Sequence, residues 1–314
     1  MQIADTPAAF AALPATGVTI GNFDGVHLGH QALVRRTLEV CGARGLTCVA
    51  VTFRPHPRTV LTPERPHAPL STRAERFALL ERLGVRHILE LPFTRELAAL
   101  TPEDFVRRYL LPLRPRELVV GHDFSLGRGR SGHPELLQRL GRDMGFGVEQ
   151  VSAVLCDGAP VSSTRLRRCL AEGDVALARR LLGRPYAVSG QVAHGEGRGR
   201  DLGFPTANLD GAATLLPANG VYAVRAHCGG RRLDGVTNIG RKPTFGGERL
   251  SVETFLLDTE GDFYGEDLRL DFVARLRGEE RFPDAAALSR QIGADVTLAR
   301  RLLAEDAGPE PGAA

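Results

Sequence analysis

Lysine is almost missing from this chain. Of its 40 basic residues only Lys242 is not arginine. A P-loop needs a lysine of its own, and no G-x-x-x-x-G-K-[ST] occurs, so any phosphate must be held by arginine, histidine, backbone or metal. Cysteine is sparse too. Cys41, Cys48, Cys156, Cys169 and Cys228 form no C-x-x-C, and their odd number argues against a complete disulfide framework. Zinc and redox chemistry are therefore not expected, and a reducing compartment is. No apolar run reaches membrane-spanning length, and no basic stretch precedes an apolar core at the N-terminus. The expectation is a cytoplasmic protein with no membrane partner. The net charge of +3 is too small to argue for a nucleic-acid surface. What remains is an ordinary globular composition, 43% hydrophobic and 25% charged, in 314 residues, enough for two domains.

The first informative stretch is Gly21-Asn22-Phe23-Asp24-Gly25-Val26-His27-Leu28-Gly29-His30. Val18-Thr19-Ile20 before it reads as a buried strand. Val34, Leu38 and Cys41 after it fall at helical spacing. The stretch is thus a glycine-rich turn leading into a helix N-terminus, where free N–H groups and the helix dipole favour a phosphate. A tight turn with incidental histidines is the plain alternative. The pair His27 and His30, three residues apart in this setting, favours the phosphate site.

The first half alternates strand and helix. Strands are expected at 18–21, 47–53, 86–91 and 117–121, with helices at 29–43, from Thr72 to about Leu83, and from Thr101 onward. Arg54-Pro55-His56-Pro57 reads as a rigid, non-helical segment. The rhythm implies a Rossmann-like, mainly parallel sheet with helices on both faces and ligands at the strands' carboxyl ends. Gly127–Gly132 matches G-x-G-x-x-G. Phe124-Ser125-Leu126 separates it from the strand, and no strand end carries an acid about 20 residues on, so a dinucleotide fingerprint is rejected. A mobile, arginine-rich loop over a phosphate is the preferred reading, with a solvated turn as the alternative. Ser162-Ser163-Thr164-Arg165-Leu166-Arg167 opens a helix, and its two arginines add charge to an anion-favouring helix start. A second helix follows, capped by Asp174 and ended by Gly183.

After Gly183-Arg184-Pro185 the rhythm changes. Short alternating strands at 186–192, 221–227, 233–239, 252–257 and 268–274 indicate an antiparallel barrel. A helix capped by Asp284 follows, and residues 306–314 read as a disordered tail. The expected domains are 1–183 and 184–305. Within Gly203-Phe204-Pro205-Thr206-Ala207-Asn208, Thr206 and Asn208 alternate by two and share a face, and their oxygens suit magnesium with nucleotide phosphates. Glu253 is a solvent-facing carboxylate in one reading. Turned to the barrel mouth near Thr206 and Asn208, it is a candidate general base. Spacing leaves both open.

Taken together these motifs resemble the bacterial bifunctional riboflavin kinase/FAD synthetase family. The resemblance runs from about Gly17 to Leu303. It is carried by Gly21–His30, Thr52–Pro57, Val120-Gly121-His122-Asp123-Phe124, Ser162–Arg167, Gly203–Asn208, Gly220-Val221-Tyr222, Asn238–Phe245, Val252-Glu253 and Phe263-Tyr264-Gly265. Leu126 departs from the pattern, which often has phenylalanine there. The resemblance implies an FMN adenylyltransferase domain followed by a riboflavin kinase barrel. The barrel would convert riboflavin to FMN with ATP, and the first domain FMN to FAD with release of pyrophosphate. It implies His27 and His30 as catalytic phosphate ligands, with Gly21, Asn22, Phe23, Asp24 and Gly25 shaping their turn. Ser163, Thr164, Arg165 and Arg167 would hold the leaving pyrophosphate. His56, Asp123, Phe124 and Arg277 would line flavin sites. In the kinase, Glu253 would be the general base, Thr206 and Asn208 would hold magnesium with ATP, the stretch from Gly195 to Arg200 would be a flexible flap over the nucleotide, and Gly203 would also bind ATP. The last helix would help close the flavin site. The implied partners are riboflavin, FMN and ATP, with no nucleic acid, and self-association is left open.

Two alternatives stand beside this reading. One module alone is active, or the barrel is a non-catalytic nucleic-acid-binding module using Arg225, Arg231 and Arg232. Against the latter, no stacking aromatics interleave those arginines.

Overall fold

A computed structural model describes residues 1–65, 68–194, 203–244, 247–259 and 261–307, with the side chains of 242–249 and 307 left aside. Gly195, Arg200 and Phe245 lie outside the described residues, as do 308–314. The chain forms two compact units, residues 1–67 with 73–162, and residues 68–72 with 163–314. The division thus falls at Ser162/Ser163, whereas the sequence reading drew it at Gly183.

The first unit contains β1 (Gln2–Ala4), β2 (Thr16–Ile20), α1 (Leu28–Arg44), β3 (Thr47–Arg54), α2 (Pro57–Leu61), α3 (Arg73–Arg82), β4 (His87–Pro92), α4 (Arg95–Ala98), α5 (Pro102–Phe105), β5 (Pro115–Gly121), α6 (Pro134–Met144) and β6 (Gly147–Val151), then the hairpin β7 (Leu155–Cys156) and β8 (Ala159–Pro160). The six-stranded sheet has order β1-β4-β3-β2-β5-β6, every pairing parallel. Alternate residues face opposite sides, and both sides are covered. Val18, Ile20, Val51, Leu91, Leu118 and Val120 pack with Phe105 and Leu137 on one face. Ala50, Ile88 and Val119 pack with Leu33, Val34, Phe77 and Leu80 of α1 and α3 on the other. The chain runs from β2 to β3 on one side and reaches β5 on the other, so the carboxyl end of β2 is the sheet's switch point, where such folds bind ligands.

Local chemistry sets the helix ends. Gly45, at φ 62°, ends α1 in the left-handed conformation that only glycine adopts without strain. Thr101 and Asp104 cap α5 reciprocally: the Asp104 N–H donates to Thr101 Oγ1 at 3.1 Å, and the Thr101 hydroxyl donates to Asp104 Oδ2 at 2.8 Å. The segment 54–57 differs from expectation. A helix starts at Pro57, because proline is tolerated at the first helical position and His56 Nδ1 accepts from the Arg58 N–H at 3.2 Å. The loop 127–132, expected to lie over a phosphate, is tied to its neighbours by several hydrogen bonds. Leu126 and Gly132 exchange main-chain hydrogen bonds at 3.1 and 2.9 Å, Arg128 N–H donates to Leu100 O at 2.8 Å, and Arg130 Nε donates to Ser125 Oγ at 2.7 Å. Leu126 itself is buried with Leu137 and Leu140, so a residue that departs from the family pattern fills core volume here.

The second unit contains α7 (Ser163–Glu172), α8 (Val175–Leu182), β9 (Tyr186–Ala193), β10 (Thr206–Asp210), β11 (Gly220–Cys228), β12 (Arg231–Thr244), β13 (Gly247–Leu256), β14 (Asp267–Arg277) and α9 (Ala285–Ala307). The strands close into a barrel of order β10-β13-β12-β11-β14-β9 with every pairing antiparallel. Closure leaves no edge exposed. Asp174 and Asp284 cap α8 and α9 as expected, accepting from Leu177 N–H at 2.8 Å and Ala287 N–H at 2.7 Å. Ala299 and Leu303 of α9 are buried against Val221, Ala223 and Val236 of β11 and β12. Helix α9 therefore lies on the outer face of the barrel. It runs through Ala307, two residues into the stretch expected to be a disordered tail. Asp306 is held there by Arg179 and, at 3.5 Å, by Arg225.

Strand β9 approaches β10 closely at Gly190, where an added Cβ would stand 2.2 Å from Asp210 O and 3.1 Å from Leu209. Gly190→Ala is expected to destabilise the barrel by about 1–3 kcal/mol, measured as a lowered urea midpoint in the unfolding of this unit.

Candidate functional sites

In the first unit the sequence's opening motif leaves β2 at the switch point, its Gly21 N–H still bonded to Val51 O at 3.0 Å. The turn then takes positive φ at three residues, Phe23 (50°), Gly25 (79°) and Val26 (41°). For phenylalanine and for β-branched valine this is strained backbone, which persists only when the surroundings over-determine it. Here the determinants are burial and two clamps. Phe23 and Val26 are completely buried, Asp24 nearly so. The Asn22 carbonyl accepts from Arg76 Nη1 at 3.2 Å and from the Thr52 hydroxyl at 3.4 Å.

The two histidines meet as the spacing predicted. His27 caps α1, its Nδ1 accepting the His30 backbone N–H at 3.3 Å, and the two rings stack with centroids 3.7 Å apart. With Nδ1 accepting, the neutral His27 ring carries its proton on Nε2. Gly29 makes the stack possible, because a Cβ there would stand 3.2 Å from the His27 ring. His30 Nδ1 is buried without a hydrogen-bond partner, a donor or acceptor with nothing yet to serve. Burial first, then His27 and Arg76, hold the His30 imidazole well below its ordinary 6.5.

The other residues expected around this turn are less concentrated. His56 follows the end of β3, and Asp123 and Phe124 follow the end of β5, all at the same carboxyl edge as the turn. Asp123 is exposed, while Phe124 packs against the core. Ser163, Thr164, Arg165 and Arg167 open α7, a helix of the second unit, where Arg167 Nη1 donates to Ser163 O at 3.3 Å. Sequence reasoning missed Arg76 and Glu90. Glu90 is 6% exposed and takes Arg76 Nη2 at 3.1 Å and Arg73 Nε at 2.7 Å. Its signal was a carboxylate in the strand Ile88–Leu91 that is otherwise wholly apolar.

In the barrel, register decides which way Glu253 faces. Cross-strand partners share a face, and one row runs Asn208↔Glu253↔Asn238↔Val221↔Arg277 over five strands. The next row on that face begins Thr206↔Phe255↔Val236↔Ala223. Val221, Ala223 and Val236 touch α9, so this is the outer face, while Thr237 and Thr254, hydrogen-bonded at 2.8 Å and fully buried, point to the lumen. Glu253 therefore shares the outer face of the barrel with Thr206 and Asn208, in a row that lies at the Arg277 end of β14. It is flanked on one side by Asn208 and on the other by Asn238, which the sequence reading left unassigned. Arg277 ends the same row, with its guanidinium already engaged. Nε lies 3.0 and 3.1 Å from the Asp295 carboxylate and Nη2 lies 2.9 Å away, while Gln291 also bonds Asp295 at 2.9 Å. Asp295 is 4% exposed, so this pair fastens α9 to the row that carries Glu253. Gly203, at φ 84°, leads into β10. Arg225, placed in a basic cluster by the nucleic-acid alternative, is instead buried, bonded to Asp234 at 2.8 Å and Leu303 O at 2.6 Å. It is a strut between barrel and helix.

The doubly wound sheet with a glycine-rich turn at its switch point, and the barrel with a carboxylate between two asparagines, each have a counterpart among known transferases. The FAD synthetase family model matches residues 10–165 and the riboflavin kinase model residues 182–303. Relatives named bifunctional riboflavin kinase/FMN adenylyltransferase match nearly end to end. That of Pseudomonas fluorescens is 43% identical over 92% of this chain and 93% of its own, and that of Escherichia coli K12 is 40% identical over 90% and 91%. The Bacillus subtilis relative is 36% identical over 88% and 89%. A crystal structure described as a macrolide-efflux protein from Streptococcus pneumoniae shares the fold, with TM-score 0.86 and 30% identity over 95% of this chain and 98% of its own. Among the described residues no helix is long and apolar enough to cross a membrane. The chain belongs to the bifunctional riboflavin kinase/FMN adenylyltransferase family.

The depressed His30 carries a stability signature. Below 6.5 the unfolded chain binds a proton that the folded turn refuses, so stability falls as pH is lowered through that value. His30→Asn is expected to flatten this part of the curve, read as the urea midpoint of the first unit from about pH 7.5 to about pH 5.5.

Proposed function

We propose that the barrel phosphorylates riboflavin with ATP to give FMN, and that the sheet unit transfers AMP from ATP to FMN, giving FAD and pyrophosphate. The observation that carries the reading is the outer-face row in which Glu253 stands between two asparagines. There a carboxylate accepts the proton of the attacking ribityl hydroxyl while its neighbours orient the reactants.

Thr206 and Asn208 fit magnesium brought in with ATP. Both are half-buried oxygen donors on the face of Glu253, and among the described residues no three His, Cys, Asp or Glu side chains cluster as a metal site. Two neutral ligands plus phosphate oxygens and water suit an ion that dehydrates reluctantly. When bound, the ion neutralises charge on the transferring phosphoryl group.

In the sheet unit no covalent intermediate is needed. Adenylyl transfer asks for in-line positioning and donors aimed at the α-phosphate. The N-terminus of α1, His27 through Nε2 and His30 through Nδ1 supply them. His56, Asp123 and Phe124, at the same strand ends, are read as the flavin side of this site. The hydroxyls and arginines that open α7 are read as phosphate ligands. Arg277 is read as a flavin-site residue that acts through its hold on α9.

The test is to incubate the purified chain with riboflavin, ATP and magnesium and resolve the flavins by chromatography. FAD is expected, and unchanged riboflavin would sink the reading. FMN alone would mean a silent first module, and FAD from added FMN but not from riboflavin a silent barrel. Glu253→Gln is expected to lower FMN formation by about 10²–10⁴-fold while FAD formation from FMN persists. His27→Ala should do the reverse.

A further inference from the structure

Neither reaction as assigned uses Arg76, yet it is built into the phosphate turn. It projects from α3, is 11% exposed, and divides its guanidinium between two partners from different elements, the Asn22 carbonyl and the buried Glu90 carboxylate. Glu90 is held from its other oxygen by Arg73. Arg76 Nε is buried with no hydrogen-bond partner, as is His30 Nδ1.

We propose that Arg76 is a positioning residue for adenylyl transfer, clamping the Asn22 carbonyl to the end of β4 and setting a permanent positive charge beside the histidine pair. This rests on the reading that the turn takes the α-phosphate of ATP. The clamp follows from geometry. Asn22 directly precedes Phe23, the first of the strained residues, so fixing its carbonyl fixes where the turn begins. The electrostatic part follows from what surrounds His30. His27 faces it from the same helix start, the Phe23 ring packs edge-on at 5.4 Å, and Arg76 acts on it from α3. Around Arg76 stand Asp24, Glu90 and Arg73. Of the groups acting on His30, Arg76 is the one with a permanent charge, and that charge opposes a second cation. A triphosphate reverses the balance, because an anion beside the ring favours the imidazolium.

The test follows the His30 ring by NMR in the full-length, histidine-labelled chain, assigned by its loss in His30→Asn. Arg76→Gln should raise the His30 titration by a small, resolvable amount, because burial and His27 still hold it down, and move the acid limb of the FMN adenylylation rate to higher pH in step. Arg76→Lys should keep both where they are and still lower the adenylylation kcat about tenfold, because an ammonium cannot span the carbonyl and the carboxylate as a planar fork does. Riboflavin phosphorylation should be unchanged in both variants, which reports a folded chain. An unmoved His30 titration in Arg76→Gln, or full adenylylation in Arg76→Lys, overturns the proposal. Should Arg76→Gln fail to fold, Arg76→Lys still decides the clamp. A wild-type chain that makes no FAD from FMN overturns the proposal through the reading it rests on, which is a different failure from an unmoved titration in a chain that does make FAD.

Discussion

The first unit depends on how its backbone leaves β2. A chain passing from a central strand into a helix within seven residues, Gly21 to His27, must turn sharply, and here it does so with positive φ at two residues that resist it. Strain of that kind costs on the order of 1–3 kcal/mol per residue and needs a compensating environment. The sheet supplies the environment. β3 gives Thr52 to the Asn22 carbonyl, β4 gives Glu90 to Arg76, and the hydrophobic face under α1 and α3 takes Phe23 and Val26. The histidine stack follows from the same path, since His27 reaches His30 only because the turn delivers it to the helix N-cap.

The barrel site depends on register. Once β13 pairs with β10 and β12 as it does, Glu253 is committed to the face of Asn208 and Asn238, and a shift of one residue would send it into the lumen beside Thr237. The Thr237–Thr254 hydrogen bond inside the barrel helps hold that register, because two hydroxyls that satisfy each other in a dry lumen would lose their partners on slipping. α9 then makes the outer face a sheltered one. Among its ties, Arg277 to Asp295 and Arg225 to Leu303 and Asp306 join strands β14 and β11 to the helix at separate points.

Much of this was legible in the residues. The β2–turn–α1 junction, the caps at Thr101, Asp174 and Asp284, and the change to a barrel after Gly183 all rest on local rules of periodicity and capping. What the sequence withheld was long-range. Whether Glu253 faces solvent or a site is a matter of pairing across three strands, and no spacing within one strand contains it. Arg76 and Glu90 are 14 residues apart on a helix and a strand, and only the parallel sheet brings them to one turn. The loop at Gly127 looked mobile because arginine and glycine are loop residues. It also carries a main-chain bond from the Arg128 N–H to Leu100 O and a buried Leu126, neither of which composition reports.

The near-absence of lysine takes on a structural sense at this scale. At four junctions, three of them buried or half-buried and the fourth, at Arg275, exposed, the cation must satisfy several acceptors at once. Arg76 bonds Asn22 O and Glu90, Arg225 bonds Asp234 and Leu303 O, Arg275 bonds Glu172 O and Asn219 O, and Arg277 bonds Asp295 and Gly278 O. A guanidinium does this with fixed, diverging N–H groups and little ordering cost per bond, whereas an ammonium concentrates its charge at one point. Arginine richness that looks like mere compositional bias along the sequence is thus put to structural use at these four positions. At Arg76 and Arg277 the permanent charge stands one step back from a proposed reaction centre, acting on it through a backbone carbonyl or a buried acid.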